Sequence, residues 1–323
     1  MVRGTHSAER LTLARLPSGL TVETTLHRYE GARDGPTLYV QAAQHGREVN
    51  GTATLRRFHE RVDLDALAGT VLAVPVADPL TFDRVSYTTP EQLDSVNPNM
   101  NRAWPGDVDG TLHERMAATL WEHASSADAI VDLHTGSPEM LTHVVFREDD
   151  DDSRRLAEAF GTDLLLAEQA EEDADEMWAE RNFDGKLRVA ATGEGIPAIT
   201  PELAYNKQIV NDAVETGVKG LFNVLRALGM LDGEPEENGE AILARNHLGR
   251  VTAVASGLFR ANSDLGLGDR ITAGTPLGTL YDPTTYEVLQ EPVADRDGIL
   301  YALTKEATVT GGEKLANVAL VLD

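Results

Sequence analysis

Two short segments of this 323-residue chain carry side chains suited to a metal site. Gln44-His45-Gly46-Arg47-Glu48 sets an imidazole and a carboxylate three positions apart. Val131-Asp132-Leu133-His134-Thr135-Gly136 brings a second imidazole. In a tight strand-to-helix turn, His45 and Glu48 can converge on one ion. Two His and one Glu fill three positions of a tetrahedral zinc ion and leave the fourth to water. One ligand charge leaves the site net positive, which lowers the pKa of bound water and polarises a carbonyl. There is no cysteine. Thiolate zinc ligands, a cysteine nucleophile and disulfides are therefore excluded, and the metal must rest on His with Asp or Glu. The plainer reading of a His at a strand end is an ordinary polar residue. The other seven, His6, His27, His59, His113, His123, His143 and His247, lack a comparable setting. His59 and His123 fit helix surfaces, and His143 fits either a support behind the His134 loop or the core.

Two further segments add charge. Asn99-Met100-Asn101-Arg102-Ala103-Trp104-Pro105-Gly106 reads as a structured loop with fixed donors. Arg102 offers a planar fork to a substrate carboxylate, beside Asn101. The plainer alternative for Arg102 is an ion pair that stabilises the loop. Thr200-Pro201-Glu202-Leu203 follows an apolar run. Glu202 there could take a proton from water and return it to a leaving nitrogen.

The elements that must position these residues can be read from periodicity. Thr37 to Ala43, Thr70 to Ala77, Ala129 to Leu133 and Ile196 to Leu203 read as strands. Asn50 reads as the cap of a helix whose Leu55, Phe58 and Val62 share a face. Thr111 and Glu114 form a capping-box pattern. From Asn211, the residues Val214, Val218, Leu221, Leu225 and Leu228 form an apolar stripe that Gly229 ends. Alternating strands and helices predict an α/β fold, a mostly parallel sheet flanked by helices. Both metal motifs then sit at the carboxyl ends of strands, where open sheets bind ligands.

Residues 1–232 are expected to form this catalytic domain, 233–240 a linker, and 241–323 a C-terminal β-sandwich of lipoyl or biotinyl type. In the last, Ile271-Thr-Ala-Gly274-Thr-Pro-Leu277 is echoed by Val309-Thr-Gly-Gly312-Glu-Lys-Leu315. No lysine lies between Lys219 and Lys305, so a swinging-arm carrier is not expected. The acid-rich stretches Glu148 to Asp152 and Glu168 to Glu180 read as solvated.

The net charge is −25, from 53 acidic and 28 basic residues. Nucleic acid is not an expected partner, since phosphate binding needs clustered positive charge. The acids are spread along the chain, as suits a surface adapted to high salt, where self-repulsion is screened. No run suggests a signal peptide or a membrane span, so a cytoplasmic location is expected. A homo-oligomer is left open.

In order, these motifs resemble the succinylglutamate desuccinylase/aspartoacylase family, within the zinc carboxypeptidase-like superfamily. The matching residues are His45 to Glu48, Asn101 to Gly106, Asp132 to His134, and Glu202, with Gly268 to Gly274 in the β-module. The resemblance implies one zinc ion per chain on His45, Glu48 and His134. It implies Asn101 and Arg102 on a substrate carboxylate, and Glu202 in catalysis. The implied reaction is hydrolysis of a small N-acyl amino acid. Family members commonly place another Arg seven positions before the Asn-Arg pair, to polarise the scissile carbonyl. Asp94 stands there, and Arg84 is the nearest candidate for that task. Asn99 and Met100 also replace the more usual Asp and Leu, so the chain reads as a divergent member. A peptide-trimming metallocarboxypeptidase is the close alternative, and a non-catalytic binding protein the more distant one.

Overall fold

The computed structural model describes every residue except 1–2, 137–138, 170–177, 179–181, 237–238, 246–249 and 323. The first part of the chain forms β1 (Thr5–Arg15), β2 (Thr21–Glu30), β3 (Arg33–Ala42), α1 (Asn50–Arg61), β4 (Ala68–Val74) and α2 (Pro79–Arg84). Next come α3 (Leu112–Ala124), β5 (Ala129–Gly136), β6 (His143–Arg147), α4 (Asp151–Phe160) and β7 (Leu164–Glu168). Then follow α5 (Leu187–Gly193), β8 (Ala198–Tyr205) and α6 (Asn211–Ala227).

The four expected strands are β3, β4, β5 and β8, and they pair in parallel in the order β4-β3-β5-β8. Each strand is buried on both faces. Leu38, Val40 and Val131 pack under Phe58 of α1 and Leu221 of α6. Their neighbours Tyr39 and Ile130 point the other way, to Met116 and Leu120 of α3. Near-continuous apolar runs are what such two-sided burial requires.

The sheet as a whole is mixed, which corrects the mostly parallel expectation. β1 and β2 form an antiparallel hairpin that joins the edge of β4, also antiparallel. β6 runs antiparallel to β8. The connection 137–142 between β5 and β6 is too short for the crossover that a parallel partner needs, of roughly a dozen or more residues. Periodicity gives β1 away least, because its first six residues are exposed.

Local signals held to different degrees. Glu114 accepts a hydrogen bond from the Thr111 backbone N–H at 2.7 Å, as the capping pattern predicts. Gly229 ends the α6 region with φ +68°. Asn50 is not a cap. It is fully buried, donates to the Leu203 and Tyr205 carbonyls (2.9 and 3.1 Å), and accepts from Val210 N (2.9 Å). It thus ties the start of α1 to the end of β8 and the approach to α6. The acids at 148–152 are engaged too. Asp150 caps α4, and Glu148 pairs with Arg245 at 2.6 Å.

From Ile242 onward the described elements are all strands: β9 (Ile242–Arg245), β10 (Val251–Thr252), β11 (Gly257–Ala261), β12 (Arg270–Ile271), β13 (Gly278–Tyr281), β14 (Val288–Gln290), β15 (Gly298–Leu303), β16 (Thr308–Val309) and β17 (Lys314–Val321). β9, β17, β15 and β12 continue the large sheet beyond β7, and β14-β13-β11-β16 form a second one. The internal echo is structural. Gly274 and Gly312 both take positive φ (86° and 87°) in turns closed by Thr275 N to Thr272 O and Glu313 N to Thr310 O, each 3.0 Å. Ile271, Leu277, Val309 and Leu315 anchor the two copies in the core. Among the described residues no helix is long and apolar enough to cross a membrane.

His113 of α3 holds the long segment after α2. It is fully buried, 3.3 Å from Asp78 and 3.4 Å from Asp94, with Nδ1 2.6 Å from the Asn97 carbonyl. Burial opposes its protonation, but Asp78, Asn97 and Asp94 outweigh burial and raise its pKa. A raised folded-state pKa adds stability that is complete below the unfolded value of about 6.5 and fades as pH rises through the folded value. His113→Gln should therefore destabilise by roughly 1–3 kcal/mol at pH 6. Urea unfolding should show that gap narrowing towards pH 9, and a gap that widens would contradict the pairing.

Candidate active site

The turn after β3 builds one half of the centre. Gly46 must be glycine, because a Cβ there would lie 1.9 Å from the Thr81 carbonyl oxygen of α2. Glu48 N bonds back to His45 O at 3.0 Å, so both side chains leave one tight turn. The other half comes from the end of β5. Among the described residues, His45, Glu48 and His134 form the one group of three whose donor atoms lie within 4.8 Å of one another, and all three are buried. Glu48 Oε1 sits 2.9 Å from His45 Nδ1, and its Oε2 sits 3.0 Å from His134 Nδ1. Both imidazoles therefore turn Nδ1 inward.

Their outer nitrogens are held from behind. His134 Nε2 lies 3.0 Å from Asp132 Oδ2, and His45 Nε2 lies 3.1 Å from Asn99 Oδ1. Partners of this kind fix ring orientation and raise ligand basicity in metal sites. Asp132, itself buried, also accepts from Gln44 (2.7 Å) and Gln41 (3.1 Å). Burial alone would raise its pKa, but His134 and these donors hold it below the usual carboxylate range. Burial likewise opposes charge on His134, yet Asp132 and Glu48 push its pKa well up. Two buried carboxylates around these imidazoles call for positive charge, and a divalent cation suits the donor set.

The network continues outward. Trp104 Nε1 donates to Gln44 Oε1 at 2.7 Å, which joins the Asn-Arg loop to the centre. Asn99 Oδ1 also accepts from Asn101 N at 3.0 Å. Asn101 is buried, and its own Oδ1 has no partner among the described residues.

A cavity of about 350 Å³ opens over the cluster. His45, Glu48, His134, Asn101, Arg102 and Glu202 all line it. Glu202 is brought there by register, as the β8 partner of His134 on β5 and of His143 on β6. Burial first, then the charges of Glu48 and Asp132, push its pKa up to about 7 against the pull of His134 and Lys314. Arg102 lies over the Phe183 ring, 4.6 Å from its centroid.

Arg84 is not brought to this place. It is exposed at the last residue of α2 and does not line the cavity. The segment that carries it delivers Tyr87 instead, stacked on His45 with 3.9 Å between ring centroids. Other lining residues escaped the sequence reading: Arg47, Glu168, Lys186, Arg188, Tyr301 and Lys314. Glu168 is buried between Lys186 (3.1 Å) and Arg188, not solvated as expected. Most of the acid stretch that follows it lies outside the described residues. The chain has only five lysines, and two of them, Lys186 and Lys314, line the cavity. That scarcity was the signal available in the sequence.

A mixed α/β sheet with a buried His-Glu-His cluster on the carboxyl rim of its parallel strands is a carboxypeptidase-like fold. Residues 34–228 match the sequence model of the succinylglutamate desuccinylase/aspartoacylase catalytic domain, and the chain belongs to that family. It is 28% identical over 304 residues to N-alpha-acetyl-L-2,4-diaminobutyric acid deacetylase of Halomonas elongata, covering 90% of this chain and 84% of that one. Its fold is similar to the product-bound structure of the ectoine utilization protein EutE (DoeB) from Ruegeria pomeroyi, with TM-score 0.83, 23% identity, and 98% and 95% of the two chains covered. A metallo-carboxypeptidase from Burkholderia cenocepacia is more distant, with TM-score 0.51, 16% identity, and 69% and 65% covered.

If Asp132 orients His134 for a metal, Asp132→Ala should weaken metal binding by about 10–100-fold. Competition against a chelator measures this, with circular dichroism to check the fold. Unchanged affinity in a folded variant would reject the role.

Proposed function

We propose that this chain is a zinc-dependent deacylase that hydrolyses the amide bond of a small N-acyl amino acid. The observation that carries this reading is the convergence of His45, Glu48 and His134 beside Glu202 in one cavity. One zinc ion per chain would be held by His45 Nδ1, Glu48 and His134 Nδ1. Such an ion supplies Lewis acidity and makes water a nucleophile at neutral pH.

The protein's own groups do the rest. Glu202 takes the proton of the attacking water and hands it to the leaving nitrogen, which departs as a free amine. A carboxyl group poised near 7 can serve both as base and as acid. Arg102 and Asn101 hold the substrate carboxylate at the cavity wall. Polarisation of the scissile carbonyl, first assigned to Arg84, falls instead to Arg47. It lines the cavity between two ligand positions, its Nε is buried without a partner among the described residues, and its guanidinium lies 4.9 Å from the Tyr87 ring centroid. Six basic residues line the cavity against three acidic ones, Glu48, Glu168 and Glu202, which supports an anionic substrate. The deacetylase relative supports an N-acyl amino acid. Residues 241–323 are proposed as a β-module that closes one wall, through Arg250, Tyr301, Lys314 and Asn317.

Glu202→Gln should lower kcat by about 10²–10⁴-fold and leave the metal content unchanged. Near-normal turnover in that variant would remove Glu202 from the mechanism. Arg102→Ala should act mainly on KM for substrates with a free carboxylate. A panel of N-acyl amino acids run beside peptides tests the substrate class. Cleavage confined to the C-terminal residues of peptides would replace this reading with a carboxypeptidase.

A further inference from the structure

A second group of nitrogen donors lies away from the cavity, where the N-terminal hairpin meets α1. His6 on β1 stands opposite Tyr29 on β2, and His27 lies two residues before Tyr29. Residues so placed project from the same face of the ribbon. His59, in the last turn of α1, closes over them. The ring centroids of His6 are 5.3 Å from His27 and 4.8 Å from His59, and those of His27 and His59 are 6.1 Å apart. His6 Nε2 and His27 Nδ1 approach to 3.0 Å.

We propose that His6, His27 and His59 form a second site for a transition-metal cation such as Zn²⁺, Ni²⁺ or Cu²⁺. Two imidazole nitrogens bound to one tetrahedral ion at about 2.0–2.1 Å sit roughly 3.3 Å apart. The His6–His27 pair needs to open by only a few tenths of an ångström, with the ion replacing the proton the two rings share. The third ligand is prepared from behind. Tyr29 is buried, and its hydroxyl lies 3.1 Å from His59 Nδ1. Burial pushes the Tyr29 pKa up to about 12, so it remains a phenol. A His59 Nδ1–H that donates to this phenol oxygen leaves the Nε2 lone pair for the metal. His6 and His27 both have lowered pKa values, first from burial and then from neighbouring imidazoles.

The three donors do not all lie within 4.8 Å of one another without an ion, unlike those of the buried cluster. His59 is exposed, so its ring can pivot about the Tyr29 contact at Nδ1 and bring Nε2 towards an ion held by His6 and His27. Imidazole donors without a carboxylate favour these borderline cations over Mg²⁺ or Ca²⁺. A bound ion would clip β1 and β2 to α1 and stabilise the folded hairpin by an amount that grows with the logarithm of the free metal concentration above its dissociation constant.

The test uses the untagged full-length chain with its buried centre already loaded. After equilibration with Zn²⁺ or Ni²⁺ and removal of free metal by gel filtration, elemental analysis counts metal per chain. The expected result is a second equivalent in the parent protein, absent in His27→Ala and in the edge-strand variant His6→Ala, with catalytic turnover unchanged in both. The metal should raise the melting temperature of the parent and not of either variant. A parent that takes up no second equivalent, or a second equivalent that persists in both variants, overturns the proposal. Neither outcome touches the catalytic reading, because the readout is stoichiometry at a separate place.

Discussion

The centre depends on one buried carboxylate. Asp132 has almost no solvent contact, so its charge must be met by protein groups. It is met by His134 from its own strand, by Gln41 from β3 and by Gln44 from the turn that follows β3. Each of these bonds fixes something else. The one to His134 turns Nδ1 towards Glu48. The one to Gln44 places Gln44 Oε1 for Trp104, and through it the loop that carries Asn101 and Arg102. Gln41 in turn accepts from Tyr39 at 2.9 Å, which roots the network in the core. A charge-assisted network that is fully satisfied is rigid, and a partly satisfied one is costly. The fold therefore has one good way to arrange these residues.

The clustering of His45, Glu48 and His134 was legible because their motifs combine residue type with position on the sheet. Strands β3, β5 and β8 are buried on both faces, so their apolar runs are plain, and the first charged residues after or at the end of each run must lie on the rim. That rule puts His45, Glu48, His134 and Glu202 on the rim together with Arg47 and Asp132, and residue type and spacing single out the four. The mixed direction of the outer strands leaves the rule untouched, because β3, β5 and β8 remain parallel neighbours. What failed was sensitive to short range. Asn50 has the residue type of a cap, but its side chain found three backbone partners across the core. Arg84 was judged by its distance along the chain from Asn101, and α2 ends by turning it to solvent. At Val85 the backbone takes φ +53°, and the chain swings round to bring Tyr87 under His45.

The far wall of the cavity was illegible for another reason. Tyr301 and Lys314 come from strands whose sequence says only that they are strands. Their place over the centre follows from β17 pairing with β9, and β9 with β7, which extends the sheet beyond the rim residues. A contact made by strands so far apart in sequence leaves no local pattern. Glu168 illustrates the same limit. It opens an acid-rich stretch and so looks solvated, yet tertiary structure supplies Lys186 and Arg188 to hold it ionised, well below the ordinary range of a buried Glu.

These contacts also reconcile the proposed anionic substrate with a chain of net charge −25. Surface acids act through water, where the Debye length is about 8 Å at physiological ionic strength and shrinks further in concentrated salt. The cavity's basic groups act over a few ångströms and are only partly screened. Several are spoken for within the protein, as Glu168 holds Lys186 and Arg188 together. That pairing does more than neutralise. Left alone in a buried wall, two cations would repel each other and resist desolvation. With the carboxylate between them they form a stable, still net-positive surface. The long-range field of the protein therefore works against capture of an anion, while the short-range field of the cavity favours holding it. On the proposed reading the second prevails at the site, because a substrate carboxylate would meet Arg102 of the cavity wall directly and the surface acids only across screened solvent.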